Sequence, residues 1–144
     1  MATSTIPALK AALLSLLQAR AGLSGVQVTY GMPAVSPPPR REFIALTDAD
    51  GDQETAALGR TRREEVYRLK VLCSVLREGS DQQSATERAF ALAAEIESAL
   101  RADPSVTGTV RTALVDGPLQ LEEGASDQHR TALVTLSVLC TARI

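Results

Sequence analysis

The hydrophobic period changes several times along the chain, and each change marks an element. Over residues 5–21 apolar positions return every three or four residues. Ile6, Leu9, Leu13, Leu16 and Leu17 fall on one face, as in a helix packed against a core. Thr5 stands at the N-cap, Pro7 suits the first turn, and Gly22 and Gly25 follow the helix end. Residues 26–30, VQVTY, alternate instead, with Val26, Val28 and Tyr30 on one side. That period of two predicts a strand. EFIALT, 42–47, predicts a second. The longest alternation is 63–77, where Tyr67, Leu69, Val71, Cys73 and Val75 share a face. Arg68, Lys70 and Ser74 dilute the other face, although Val66, Leu72 and Leu76 also lie there. Residues 80–103 return to the helical period, with Ala89, Leu92, Ala93, Ile96 and Leu100 as the buried stripe and Phe90 at its edge. Ser84 followed by Glu87 has the capping-box form, and a start at Ser80 or Asp81 fits equally. Asp103-Pro104 stops the helix. Shorter alternations over 108–115 and 119–122 flank the turn signal Asp116-Gly117, and Pro118 places the second strand on an edge. Residues 129–143 form the last strand.

The segments between are polar or proline-rich. Three consecutive prolines in 31–41 favour extended chain and forbid a helix. Residues 48–62, DADGDQETAALGRTR, read as a long polar loop, the kind of segment left mobile until a partner orders it. The order is helix, three strands, helix, strands. It predicts one α+β domain over 1–144, with a mostly antiparallel or mixed sheet of about five strands and two main helices on one face. A compact chain of this length has a diameter of about 37 Å. Strands of 15 residues span nearly 50 Å, at about 3.3 Å each. They must bend or project, and a projecting edge must be covered.

Composition narrows the function classes. Of the 144 residues 44% are hydrophobic and only 3% aromatic, with no Trp, so the core is aliphatic and a base-stacking platform is excluded. Lys plus Arg is 15 against 17 for Asp plus Glu, a formal charge of -2, which argues against a dedicated DNA-binding protein. Cys73 and Cys140 form no CxxC pair, and the single histidine, His129, cannot complete a four-ligand zinc site with them. Both cysteines lie in apolar alternating runs and are expected buried and reduced, close together if their strands are neighbours. The first twenty residues have no early positive region, and Lys10 interrupts their apolar stretch, unlike a signal peptide or membrane span. No GxSxG, GxGxxG or GxxxxGK[ST] motif occurs. Asp48, Asp50, Asp52 and Glu54 mimic a calcium loop, but Gln53 and Gly59 stand where its glycine and glutamate are needed. No catalytic residue, metal or cofactor is expected. Structural assembly and binding remain as the function classes.

The runs IPALKAALLSLLQARAGLSGVQVTYGMP, EFIALTDADG, EEVYRLKVLCSV and SATERAFALAAEIESALRADPSVTG, with the long terminal strand ending in TARI, resemble the tail terminator (tail completion) proteins of long-tailed, non-contractile bacteriophages. The resemblance covers nearly the whole chain and rests on element order and on phrases such as VQVTYG and EEVYRL. It implies a small structural subunit that forms a ring, a hexamer in the family, at the head-proximal end of the tail. The ring caps the tail tube, ends its polymerisation and joins tail to head, after assembly in the host cytoplasm. The implied partners are further copies of the chain, the major tail tube protein and a head-completion or connector protein. DNA passes through the lumen without specific binding, and no membrane is involved. A neighbouring head-tail connector or neck subunit fits similar residues, as does a bacterial binding module of unknown ligand. If the partner is another copy, the arginine flanks Arg40, Arg41, Arg60, Arg62 and Arg63 are the expected donors. Glu122, Glu123 and Asp127 are the expected acceptors, and the acidic run Asp48, Asp50, Asp52 and Glu54 is expected to meet the tube or a neighbouring subunit.

Overall fold

The computed structural model describes residues 3–56 and 61–144. The first helix, α1 (Ile6–Gln18), ends earlier than its periodicity predicts, and a 3-10 turn at Ala21–Leu23 follows. Leu9, Leu13 and Leu17 are fully buried, while Ile6 and Leu16 sit at the core margin. Next come β1 (Gln27–Tyr30), β2 (Glu42–Thr55), β3 (Arg63–Glu78), α2 (Gln82–Ala102), β4 (Thr112–Val115), β5 (Gln120–Ala125) and β6 (His129–Arg143). The strands form one six-stranded sheet in the order β1-β2-β3-β6-β4, with β5 also on β6. Among the described strands only β1–β2 is parallel. The fold is α+β with a mixed sheet, as the alternation predicts.

Both helices pack on the sheet face that carries Tyr67, Leu69, Val71, Cys73 and Val75 of β3 and Ala132, Val134, Val138 and Cys140 of β6. The stripe Ala89, Leu92, Ala93, Ile96 and Leu100 of α2 is buried against them. Asp81 is the N-cap, its carboxylate accepting from the Ser84 N–H at 3.0 Å, an interaction worth about 1 kcal/mol. The helix starts there rather than at Ser84.

Residues 48–55 depart from the predicted loop. They continue β2 beyond a bulge between Leu46 and Ala49 and pair with β3 as far as Thr55 opposite Arg63. The expectation of a mobile segment fails for them. β3 presents a full row of backbone donors and acceptors along its length, and an antiparallel neighbour satisfies them whatever side chains it carries. Gly51 marks how close the two strands run, because a Cβ there would lie 2.0 Å from the Val66 carbonyl oxygen.

The short strands also differ from expectation. β4 begins at Thr112, and β4 and β5 do not pair with each other. They follow one another along the same edge of β6, joined through Asp116 and Gly117 at φ +108°. Ahead of β4, Val106 and Thr107 adopt positive φ. The Asp103 carboxylate holds that turn, accepting from the Thr107 N–H at 2.7 Å and the Ser105 hydroxyl at 2.9 Å. Val106 is fully buried there.

The 16 residues of β3 span about 50 Å, whereas the 21 residues of α2 cover about 31 Å. The strands outrun the helix. The end holding Thr55, Arg63 and Arg143 is called distal below, and the end holding Glu42, Glu78 and His129 proximal.

Candidate assembly interface

At the distal end the inward face of the sheet meets the start of α1. Glu65 lies there, 2% exposed, in the same alternating register as Tyr67 and Leu69. Its Oε1 accepts from the Thr5 N–H at 2.9 Å and the Thr5 hydroxyl at 2.6 Å, and its Oε2 accepts from Gln53 Nε2 at 2.6 Å. The Tyr67 hydroxyl lies 3.0 Å from the same Thr5 oxygen. Thr5 holds the N-cap position but makes no side-chain cap bond, because its hydroxyl serves Glu65. Burial pushes the Glu65 pKa up, but hydrogen bonds from Ser4, Thr5 and Gln53 outweigh that and hold the carboxyl below its ordinary value. The anion also faces the positive end of α1. Its role is structural, pinning the N-terminus and β2 to β3. The composition gave no hint of it, but its register did: a charged residue at a buried-face position needs partners.

Cys73 and Cys140 are buried and free, as expected. Burial pushes both thiols up to about 12. β3 and β6 are neighbours, yet Cys73 faces Val134 and Cys140 faces Tyr67. Six residues along β6 separate the two positions, roughly 20 Å, so the cysteines are not close together. His129 opens β6, with its Nδ1 3.4 Å from the Ser126 hydroxyl. Among the described residues no cluster of three or more His, Cys, Asp or Glu could hold a metal ion. No described helix is long and apolar enough to cross a membrane.

The charged interface candidates distribute over the whole sheet. Arg40 and Arg41 lie at the proximal end, just before β2. The Arg40 N–H donates to Gln27 Oε1, and Arg41 pairs with Glu78. Arg62 is exposed at the distal end, and Arg63 donates to the Thr3 carbonyl at 3.3 Å. Arg60 lies outside the described residues. The two arginine groups thus stand about 50 Å apart, the length of β3. Glu122 accepts from Gln120, Glu123 from the Thr86 hydroxyl, and Asp127 is exposed between β5 and β6. Among the described residues no arginine of the set pairs with an acid of the set. Asp48, Asp50, Asp52 and Glu54 are exposed along the distal half of β2, with Asp50, Asp52 and Glu54 on the helix-free face.

A second set of residues escaped the charge-based reading. Most exposed large apolar side chains gather at the two ends of the strand order. Tyr30, Met32 and Val35 lie at the β1 end, in β1 and the crossover to β2, with Val35 89% exposed. Leu114, Leu119 and Leu121 lie at the β4–β5 end, with Leu119 60% exposed and Phe90 of α2 alongside. There Phe90, Ala94, Val115, Pro118, Leu119 and Leu136 line an apolar groove between α2 and the sheet edge. The signal was present in the sequence as apolar residues in segments too short or too proline-rich to bury them.

No protein-family model matches this sequence. No curated protein matches it either. Among solved structures, the chain is similar to one in the structure described as "Virion of native gene transfer agent (GTA) particle". The TM-score is 0.57 at 15% identity, over 98% of this chain and 100% of that one. Two chains share a fold from end to end.

Proposed function

We propose that this chain is a non-catalytic structural subunit of a virion: a tail terminator that forms a ring on the head-proximal end of a tail tube, ends tube growth and joins tail to head. The observation that carries the reading is the end-to-end likeness to a chain of a virion, with neither chain leaving a substantial part unmatched. The sequence resemblance to tail terminators favours the tube end within that class. The physical features suit the role. The strands outrun the helices, apolar residues stay exposed at both ends of the sheet, and the slight negative charge suits a passage through which DNA must slide without being held.

The test uses a phage major tail tube protein, the partner that the resemblance implies. Tube polymerisation is started with and without the purified chain and followed by negative-stain microscopy. The expected result is shorter tubes with extra density at one end. Tubes of unchanged length with bare ends would reject the terminator role. With a head connector added to the mixture, density on the connector instead of the tube end would favour a neck subunit.

A further inference from the structure

We propose that copies of this chain join head to tail, the β1–β2 flank of one subunit seated against the β4–β5 flank of the next. This deepens the reading above; it rests on that reading for closure into a ring but not for the contact itself. The two flanks can be compared level by level, because the pairing register carries each row across the sheet. One proximal row runs Gln27, Phe43, Ser74, Leu133, Glu122. Arg40 is bonded to Gln27 at one end of it, and Glu122 stands at the other. The next landmark is Tyr30, Leu46, Val71, Leu136. Tyr30, with Met32 and Val35 beyond it, ends that row on one flank. The groove of Leu136, Leu119 and Phe90 ends it on the other. Further out, Asp50 and Asp52 share rows with Leu114 and Thr112, and Arg111 directly precedes Thr112.

The charges follow the same levels with opposite signs. On the β1–β2 flank the proximal level carries Arg40, which among the described residues makes no ion pair; Lys10 stands at the middle level, on the Thr47 carbonyl and over the Tyr30 ring. The distal level is acidic, with Asp48, Asp50, Asp52 and Glu54 also outside every such pair. On the β4–β5 flank the proximal level is acidic, through Glu122, Glu123 and Asp127. The distal level is basic, since Arg111 and Arg143 share the single carboxylate of Glu64. Translating one subunit sideways sets plus against minus at both levels and the apolar crossover against the apolar groove between them. A flank meeting itself about a two-fold axis along the strands sets like charges together; about an axis normal to the sheet it sets one exposed crossover against another and leaves the groove of Phe90, Leu119 and Leu136 unfilled. A heterologous contact is the arrangement that fits, and such contacts build rings. The backbone edges are partly capped already. Gln18 donates to the Val28 carbonyl, and the Ala113 N–H donates to the Pro104 carbonyl. Side chains, rather than one continuous hydrogen-bond ladder, therefore form the contact.

The test mixes two broken subunits. One carries Met32→Asp with Val35→Asp, and the other carries Leu119→Asp with Glu122→Arg. All four positions are exposed, and thermal unfolding checks that each variant folds. Native mass spectrometry should show an oligomer larger than a dimer for the unaltered chain, and monomers for each variant alone. An equal mixture should form heterodimers and nothing larger, because it holds one intact copy of each flank. Two single charge reversals, Arg40→Glu and Glu122→Arg, provide a milder pair. Each should weaken assembly at low salt at least several-fold, and the two combined in one chain should restore it. Wild-type-like assembly by either broken variant, or a mixture without heterodimers, would overturn the contact. An unaltered chain that stays monomeric would overturn it too. Tube capping in the assay above would leave the terminator reading standing in any of these cases.

Discussion

At the scale of single residues, Glu65 shows how one charge in a buried register organises its surroundings. It joins β3 to the start of α1 through Thr5 and to β2 through Gln53. Hydrogen bonds to a charged group contribute about 1.5–3 kcal/mol. Glu65→Gln keeps the shape but removes the charge, so a loss of about 1–2 kcal/mol at pH 7 is expected. The pH dependence has a definite sign. The folded carboxyl is held below its ordinary value of 4.5, so its stabilisation is fully present above the unfolded value. It fades as pH falls through the lower folded value. The stability gap between wild type and Glu65→Gln, measured by urea unfolding, should be large at pH 7 and shrink near pH 3. A gap that stays constant or widens in acid would show that the charge is not what holds this corner.

At the scale of elements, β2 carries the lesson. Its proximal part, EFIALT, was legible because Ile44 and Leu46 alternate toward the helices. The distal part was not, because its inward positions, Ala49, Gly51 and Gln53, carry no large apolar side chain and its outward positions are acidic. A period-two signal was nonetheless there, in Asp48, Asp50, Asp52 and Glu54, but alternation without apolar residues reads as loop. The order and type of the remaining main elements were legible, since each buries a clear face. The pairing of β4 and β5 with β6 was not, because a turn signal says that the chain bends and not which strand it meets. Distal β2 depends on Gly51, where any side chain would meet the backbone of Val66 and Tyr67. Gly51→Ala should force the strands apart and cost about 1–3 kcal/mol. Chemical denaturation with an unchanged midpoint would contradict that close approach.

At the scale of the whole molecule, the described charged residues among those singled out in the sequence do not form a site within one subunit. They lie on opposite flanks and at opposite ends of the long strands, which is why sequence spacing could not assemble them. In the proposed contact their arrangement becomes meaningful between copies. Exposed Val35 and Leu119 mark the apolar centre of each flank, with charges of alternating sign around them. Rim charges set register more than affinity, at about 1 kcal/mol or less per exposed pair, so the apolar centre supplies most of the binding. The central claim, a subunit built to close into a ring, is tested most directly by native mass spectrometry of the unaltered purified chain over a range of concentrations. The account predicts one discrete closed oligomer with more than two copies, six if it follows the family it resembles. A monomer at every concentration, or assembly that stops at a dimer, would contradict it.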